Sequence, residues 1–438
     1  MITLGCPKNE VDSDRIASLL MHNGYREAES VEDAEILVVN TCSFIEKATE
    51  ESIEVILDLA AEKEAGKRLL VTGCLYQRYG DRLGELLPEV DGFFLPDHPN
   101  GGCFSRLRGK SHRFAGDACA RTRFSGSERG HAYLKISEGC SRACSFCTIP
   151  SIKGRLRSER AESILREAEG ALSRGAREIV LVSQDTASYG RDLGLDAGLT
   201  GLLKSLVDLQ GDFRVRVMYL QPEGVTDELL EMLNHPKVCR YLDIPLQHVC
   251  PGVLRRMGRA GGEEEFRKLV DKARSRVPGI ALRTSLMVGF PGEDRLAFKQ
   301  LLDFVRDVRF DWVSVFTYSP EEGTRAASMR DGCSPETAAR RAEMLREAQE
   351  EIMREKAASL KGTVVRALVE GPSEMAPGFL EARSCREAPD IDGVIFVGGV
   401  VPGPVPGFRR VLIEDSDGID LLGRVIGEEG DGVRGVEG

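Results

Sequence analysis

Cys140, Cys144 and Cys147 place three thiols within eight residues, Cys140-Ser141-Arg142-Ala143-Cys144-Ser145-Phe146-Cys147. Thiolates are soft metal ligands, and three on one tight loop can hold three irons of a four-iron, four-sulfur cluster. The fourth iron is then open to a ligand that is not protein. A structural zinc site takes four protein ligands, so a zinc reading needs a fourth from far along the chain. The other reading, buried cysteines acting as small hydrophobes, fits poorly with a loop that also carries Ser141, Arg142 and Ser145. A short strand over residues 133–136 leads into the loop.

A second trio is scattered along the first hundred residues. Three apolar, β-branched runs each end in cysteine: Ile2-Thr3-Leu4-Gly5-Cys6, Ile36-Leu37-Val38-Val39-Asn40-Thr41-Cys42 and Leu69-Leu70-Val71-Thr72-Gly73-Cys74. Short runs of this kind read as buried strands. Helical patterns over residues 12–23 and 45–65 separate them, so residues 1–97 are expected to form a Rossmann-like domain on a parallel sheet. Sites in such sheets lie beyond the C-terminal strand ends, which is where all three cysteines stand. They should converge at one sheet edge, again one ligand short of a closed zinc site. Three unrelated core cysteines are the competing reading, and it does not account for three equivalent placements. Asn9 and Asn40 are placed to orient this edge by hydrogen bonding. Met1 lies one residue before the first strand, which predicts that the true start is upstream.

Residues 98–130 show Gly, Ser and Arg without periodicity and read as a linker. Cys103 and Cys119 within it read as ordinary thiols. From 131 to 333 strand and helix patterns alternate. Strands are expected at 133–136, 179–183, 215–220, 241–246, 281–289 and 312–318. Helices are expected at 161–174, 227–234, 263–276 and 296–308. Six such units make a partial (βα)6 barrel, whose chemistry belongs at the C-terminal strand ends. Those ends carry Ser183-Gln184-Asp185-Thr186, Asp243-Ile244-Pro245-Leu246-Gln247-His248, Val288-Gly289-Phe290-Pro291-Gly292-Glu293 and Thr317-Tyr318-Ser319-Pro320. Gln184 and Asp185 could bind a ribose, amino group or carboxylate. Gly289 and Phe290 lie where a glycine-rich strand end lets a ligand approach the backbone. Phe146 could pack on an adenine. Gly-Phe-Pro-Gly as a plain turn and His248 as a satisfied loop histidine are the alternatives.

Residues 334–360 read as one long charged connecting helix. Residues 361–427 then alternate, with strands expected at 363–370, 393–396 and 410–413 between Gly and Pro turns, so a small antiparallel β-barrel is expected. Residues 428–438 read as a disordered tail. Lys361 to Arg424 holds seven basic and ten acidic residues with few aromatics to stack on bases, which disfavours general RNA binding.

Composition bounds the setting. No apolar run reaches the ~18 residues of a membrane span, so no membrane association is expected. The first residues lack the basic start and apolar core of a signal peptide. Twelve cysteines without such a signal point to the cytoplasm, where thiols stay reduced. A net charge of −11 argues against unspecific nucleic-acid binding and suits a basic partner such as a ribosomal protein.

The CxxxCxxC loop resembles the cluster motif of radical S-adenosylmethionine (SAM) enzymes, and the chain as a whole resembles the radical SAM methylthiotransferases. Cys6, Cys42 and Cys74 match that family's N-terminal cluster domain and Cys140, Cys144 and Cys147 its radical SAM domain. The C-terminal residues are similar to its TRAM barrel. Gly5-Cys6-Pro7-Lys8-Asn9, Ile136-Ser137-Glu138-Gly139-Cys140, Ile149-Pro150-Ser151-Ile152-Lys153-Gly154, Asp185-Thr186, Tyr189-Gly190 and Asp243-Ile244-Pro245-Leu246-Gln247-His248 resemble the branch acting on an aspartate of a small-subunit ribosomal protein. The other branch methylthiolates a modified adenosine in transfer RNA.

The resemblance implies two [4Fe-4S] clusters with the six cysteines as metal ligands. It implies SAM as cofactor, with Phe146, Gln184, Asp185, Gly289 and Phe290 expected to bind it. Reduced ferredoxin or flavodoxin is expected as electron donor. It further implies hydrogen abstraction from the aspartate β-carbon by a SAM-derived radical, followed by transfer of a methylthio group from the N-terminal cluster. No side-chain base is strong enough for that C–H bond. The two clusters must then face each other, with the first domain docked over the barrel mouth. A non-catalytic iron–sulfur carrier and a zinc-stabilised RNA-binding module are the readings from other classes.

Overall fold

The computed structural model describes residues 1–64, 66–97, 102–107, 110–114 and 124–427. The first domain is a six-stranded sheet in the order β1 (Ile2–Thr3), β2 (Ile36–Thr41), β3 (Arg68–Gly73), β4 (Gly92–Asp97), β5 (Gly102–Leu107) and β6 (Lys110–Phe114). β1 to β4 run parallel, and β5 and β6 return antiparallel. The stretch read as a linker over 98–130 is therefore partly sheet: β5 and β6 extend the edge beyond β4. Cys103 lies on β5 with its side chain outside the described ones. Cys119 and the expected tail 428–438 lie outside the described residues.

Helix α1 spans Pro7–His22, five residues earlier than its apolar pattern suggests. Pro7 explains the difference, since a proline at the first helical position is preset for helix and its missing N–H costs nothing there. Cys6 thus sits at the helix cap. Helix α2 spans Glu46–Glu62 and α3 Cys74–Tyr79.

The central domain has six parallel strands in sequential order: β7 (His131–Lys135), then, after a short ribbon of β8 (Ser137–Glu138) and β9 (Arg157–Ser158), β10 (Glu178–Val182), β11 (Arg214–Val217), β12 (Tyr241–Asp243), β13 (Ala281–Val288) and β14 (Trp312–Thr317). They form two triplets, β7-β10-β11 and β12-β13-β14. Val215 N–H to Lys237 O (2.6 Å) and Cys239 N–H to Val215 O (2.8 Å) join the triplets. No pairing links β7 to β14 among the described residues, so the barrel is open, as six units require. Apolar residues including Leu134, Leu181, Val215 and Leu242 form its core with the surrounding helices.

The helix Pro335–Ser359, capped by Ser334 Oγ on Thr337 N–H at 3.3 Å, leads to the last domain. That domain is a closed barrel in the order β15 (Val364–Pro372), β16 (Leu380–Arg383), β17 (Ile395–Gly398), β19 (Asp420–Val425), β18 (Gly407–Asp417). The expected antiparallel barrel is corrected at one place: β17 and β19 pair in parallel. Closure needs β19 to cross beside β17, a long-range pairing that local alternation does not encode.

Its 383–392 loop packs on the central barrel. Tyr241 Oη donates to Asp392 Oδ2 (2.6 Å) and Trp312 Nε1 to Arg386 O (2.7 Å).

Candidate functional site

The first trio gathers at one edge, as the strand-end argument requires. Asn9 is the hub: its Nδ2 donates to Leu4 O (2.8 Å) and Thr41 O (3.0 Å), and Cys74 Sγ lies 3.9 Å from its Oδ1. Asn40 Nδ2 donates to Asn9 O at 2.8 Å. Gly5 packs so closely that a Cβ there would lie 2.7 Å from Cys42 Cβ and 2.9 Å from its Sγ. Gly73 (φ +95) turns β3 directly into α3, and an added Cβ would strike Asn40 Oδ1 and Thr41 O. Only glycine adopts that turn freely, so it delivers Cys74 to the edge. Burial pushes the Cys42 thiol up and the Cys74 thiol up to about 11, and the neighbouring cysteines add to both.

The second trio sits on a loop fastened at both ends. Cys140 N–H donates to Gly154 O (3.0 Å), Ser145 N–H to Met257 O (2.8 Å) and Ser145 Oγ to Arg256 O (2.8 Å). Burial raises the Cys140 thiol and raises that of Cys147 to about 12, with the other cysteines of the loop as further causes. Backbone N–H groups point at sulfur in both trios: Arg142 at Cys140 (3.5 Å), Ile149 at Cys147, and Ser43 and Phe44 at Cys42.

The two trios lie on facing loops. Thr148 Oγ1, next to Cys147, donates to Phe44 O (3.1 Å), two residues beyond Cys42. Arg78 Nη1 and Nη2 reach Glu321 Oε2 at 3.1 Å, and Glu46 N–H reaches Glu321 Oε1 at 2.9 Å. The first domain is thereby docked over the mouth of the partial barrel.

Between them lies a buried charge cluster that spacing alone did not single out. Lys135 pairs with Asp12 and Glu138, and Lys153 stands 3.6 Å from Asp12 and 3.7 Å from Glu138. Burial alone would raise Glu138, but Lys135 and Lys153 hold it below the usual carboxylate range. The one available signal was position: Glu138 precedes Cys140 by two residues, and Lys153 precedes the glycine that receives the Cys140 N–H.

The five expected cofactor-binding residues separate. Asp185 lines a cavity of about 500 Å³ together with Cys140, Arg142, Leu156, Ser188 and Glu223. Its Oδ2 accepts from Arg142 Nε (2.7 Å) and Ser188 Oγ (2.7 Å), and its Oδ1 is buried without a partner. Gln184 Nε2 donates to Glu138 Oε1 (3.0 Å), leaving its own oxygen buried and unpartnered. Phe146 is half-buried, its ring edge-on to Phe290 at 6.3 Å. Gly289 and Phe290 are taken up by packing. A Cβ on Gly289 would lie 2.6 Å from Ala338 on the connecting helix, and Phe290 is fully buried in the barrel core. Arg341, on the same helix, also clamps Glu293 at 2.5 Å. His248 is only half satisfied: Nδ1 accepts from Val249 N–H and Cys250 N–H at 2.9 Å, while Nε2 is buried without a hydrogen-bond partner, 3.7 Å from Glu293 Oε2, and burial lowers its pKa to about 3.

Gly139 carries a direct prediction. It adopts φ +75, and an added Cβ would strike Arg155 O and lie 2.7 Å from Gly154 O. Gly139→Ala must displace the 154–155 loop, whose Gly154 O receives the Cys140 N–H. Iron per chain after anaerobic reconstitution should fall from about eight to about four, while Gly154→Ala, where a Cβ meets nothing within 4 Å, should keep more of it.

Comparison with known proteins follows the three domains. Residues 1–94 match the uncharacterized protein family UPF0004, residues 134–305 the radical SAM superfamily and residues 362–426 the TRAM domain. The ribosomal protein uS12 methylthiotransferase RimO of Geobacter sulfurreducens is 43% identical over 440 residues, covering 97% of this chain and 98% of that protein. The protein of the same name from Thermotoga maritima is 41% identical over 443 residues, at 97% and 98% coverage. Among solved structures, the radical SAM methyltransferase TsrM from Kitasatospora setae, with cobalamin and a [4Fe-4S] cluster bound, matches at a TM-score of 0.51 and 17% identity. It covers 69% of this chain and 71% of its own, which speaks for the shared fold. With relatives this similar over nearly its whole length, and with three domain families matched in order, the chain belongs to the RimO family of radical SAM methylthiotransferases.

Proposed function

We propose that this enzyme replaces one hydrogen on the β-carbon of an aspartate of ribosomal protein uS12 with a methylthio group. The observation that carries the reading is the pair of cysteine trios on facing loops, fastened across the domain boundary by Thr148 to Phe44. Cys6, Cys42 and Cys74 would hold one [4Fe-4S] cluster and Cys140, Cys144 and Cys147 the other. The backbone N–H groups aimed at their sulfurs fit that use, since hydrogen bonds to sulfur tune such clusters. Among the described residues no three His, Cys, Asp or Glu side chains are grouped so as to hold a metal ion. When bound, the clusters and SAM supply reductive cleavage of a carbon–sulfur bond and a transferable methylthio group.

The protein's own part is position and exclusion of water. Asp185 and Gln184 each keep a buried oxygen without a partner beside Cys140 and Glu138, suited to a hydroxyl or ammonium donor of SAM. The Arg78–Glu321 pair, itself buried, holds the first domain against the barrel and shields the space between the trios. Reduced ferredoxin or flavodoxin would deliver the electron, in the cytoplasm. No helix among the described residues is long and apolar enough to cross a membrane.

Transfer RNA is the weaker substrate. Of the seven cations between Lys361 and Arg424, Lys361, Arg366, Arg383, Arg386 and Arg424 are in ion pairs. Arg409 bonds the carbonyls of Pro402, Pro404 and Phe408. Most of the barrel's positive charge is thus already matched by carboxylates, which leaves less to neutralise phosphates, the groups that dominate nucleic-acid affinity. The test is incubation of reconstituted enzyme, SAM and a low-potential reductant with uS12 or with unmodified transfer RNA. Mass spectrometry should find one methylthio group on an aspartate of uS12; modification of the RNA alone would overturn the reading.

A further inference from the structure

Lys8 stands between the two halves of the site, two residues from Cys6. Its ammonium lies 3.8 Å from the centroid of the Tyr219 ring. Among the described residues it forms no ion pair, although two other lysines in the same region, Lys135 and Lys153, are both matched to Asp12 and Glu138. The anions near Lys8 are already engaged. Glu138 is held by those two lysines and Gln184. Asp243 accepts from Tyr219 N–H at 2.9 Å and from Arg283 at 3.3 Å. A cation facing the space between the trios is thus supported by a ring face and by no carboxylate of its own.

Tyr219 is held in place at a cost. Its φ is +61, a left-handed conformation that is strained for an aromatic residue. Asp243 on its N–H and the Thr186 N–H on its carbonyl (3.2 Å) keep it there. The result is an aromatic platform at the end of β11 under the ammonium. A cation on a ring face keeps its outward N–H groups available to a further acceptor.

We infer that Lys8 recognises the side-chain carboxylate of the substrate aspartate and so positions its β-carbon between the trios. The inference rests on the uS12 reading and adds how that substrate is chosen: an anionic side chain satisfies Lys8, whereas an amide or a neutral base does not. Lys8 acts here as a positioning residue.

The test is binding, with iron content as a control. Reconstituted wild type, Lys8→Met and Lys8→Arg are titrated with labelled uS12 and with uS12 carrying Asn at the target aspartate. Wild type should bind the Asn form at least about 30-fold more weakly, the usual loss when one member of a buried charge pair is removed. Lys8→Met should bind both forms equally, at the weak level, with iron per chain kept. Lys8→Arg should recover part of the discrimination.

The proposal is overturned if wild type does not discriminate or if Lys8→Met still does. It is equally overturned if Lys8→Met loses half its iron, because Lys8 then serves the Cys6 site. Wild type that neither binds nor modifies uS12 would instead sink the parent reading, a different result from any of these.

Discussion

With Cys6, Cys42 and Cys74 all changed to alanine, the enzyme will still cleave SAM and will insert no sulfur. The three thiols come from separate strand ends that the parallel sheet brings to one edge, where Asn9 ties Leu4, Thr41 and Cys74 together. Alanine keeps each Cβ, so the Gly5–Cys42 contact and the Asn9 bonds to backbone survive. The Cys140 loop has its own fastenings, to Gly154, Met257 and Arg256, and its Ser145 carbonyl also receives Ala326 N–H at 2.9 Å. None of these passes through the first trio. Iron per chain should fall from about eight to about four, with 5′-deoxyadenosine still formed under reducing conditions and no methylthiolated uS12. The converse triple variant at Cys140, Cys144 and Cys147 should lose both products. Methylthiolated uS12 from the first variant would mean that sulfur does not pass through Cys6, Cys42 and Cys74.

Glu178→Gln should be the most destabilising single change at the junction of the last two domains. Glu178 Oε2 accepts from Arg214 Nη2 (2.7 Å) and Arg383 Nη1 (2.8 Å), and Oε1 accepts from Arg216 Nε (2.6 Å), all four side chains buried. Arg383 belongs to β16 of the C-terminal barrel and also pairs with Glu370 at 2.5 Å. One carboxylate thus answers much of the charge of three guanidiniums, and removing one partner from a buried ionic set costs ~3–5 kcal/mol. Burial would raise Glu178, but Arg214, Arg216 and Arg383 hold it well below its ordinary value of 4.5.

A depressed carboxylate contributes stability above its unfolded-state pKa and loses it as pH falls through the folded one. Wild type should therefore weaken progressively below about pH 4.5, and Glu178→Gln should be weak already at pH 7 with a shallower acid dependence. Trp312 is the only tryptophan, and its Nε1 bonds Arg386 O across the junction, so its fluorescence during urea unfolding reads the effect. Equal midpoints and equal acid slopes for the two proteins would refute the assignment.

Much of the site was legible before the fold. Spacing alone made Cys140, Cys144 and Cys147 a set. Strand-end position made Cys6, Cys42 and Cys74 another, because a parallel sheet brings such ends to one edge whatever their separation in sequence. Element types also followed from local pattern: the helix expected at 263–276 is Glu263–Arg276, and β13 and β14 fall within the expected strands. Gly289 and Phe290 show what local reading does not see. A glycine at a strand end suits a ligand or a packed helix equally well, and the packing of Ala338 against Gly289, from about fifty residues later in the chain, appears only in the fold.

The sequence by itself determined the two cysteine sets, the order of three domains and the family they imply, because these depend on residue type, local spacing and strand-end position. Tertiary structure decided what faces what. It brought Lys8 to Tyr219, matched Lys135 and Lys153 to Asp12 and Glu138, and closed the last barrel through a parallel pair. Apart from Lys135 with Glu138, three residues apart, these are contacts between groups more than ten and up to some two hundred residues apart, set by docking and by pairing of buried charge. Such partners leave no periodic trace along the chain, since burial selects them only once the domains have met.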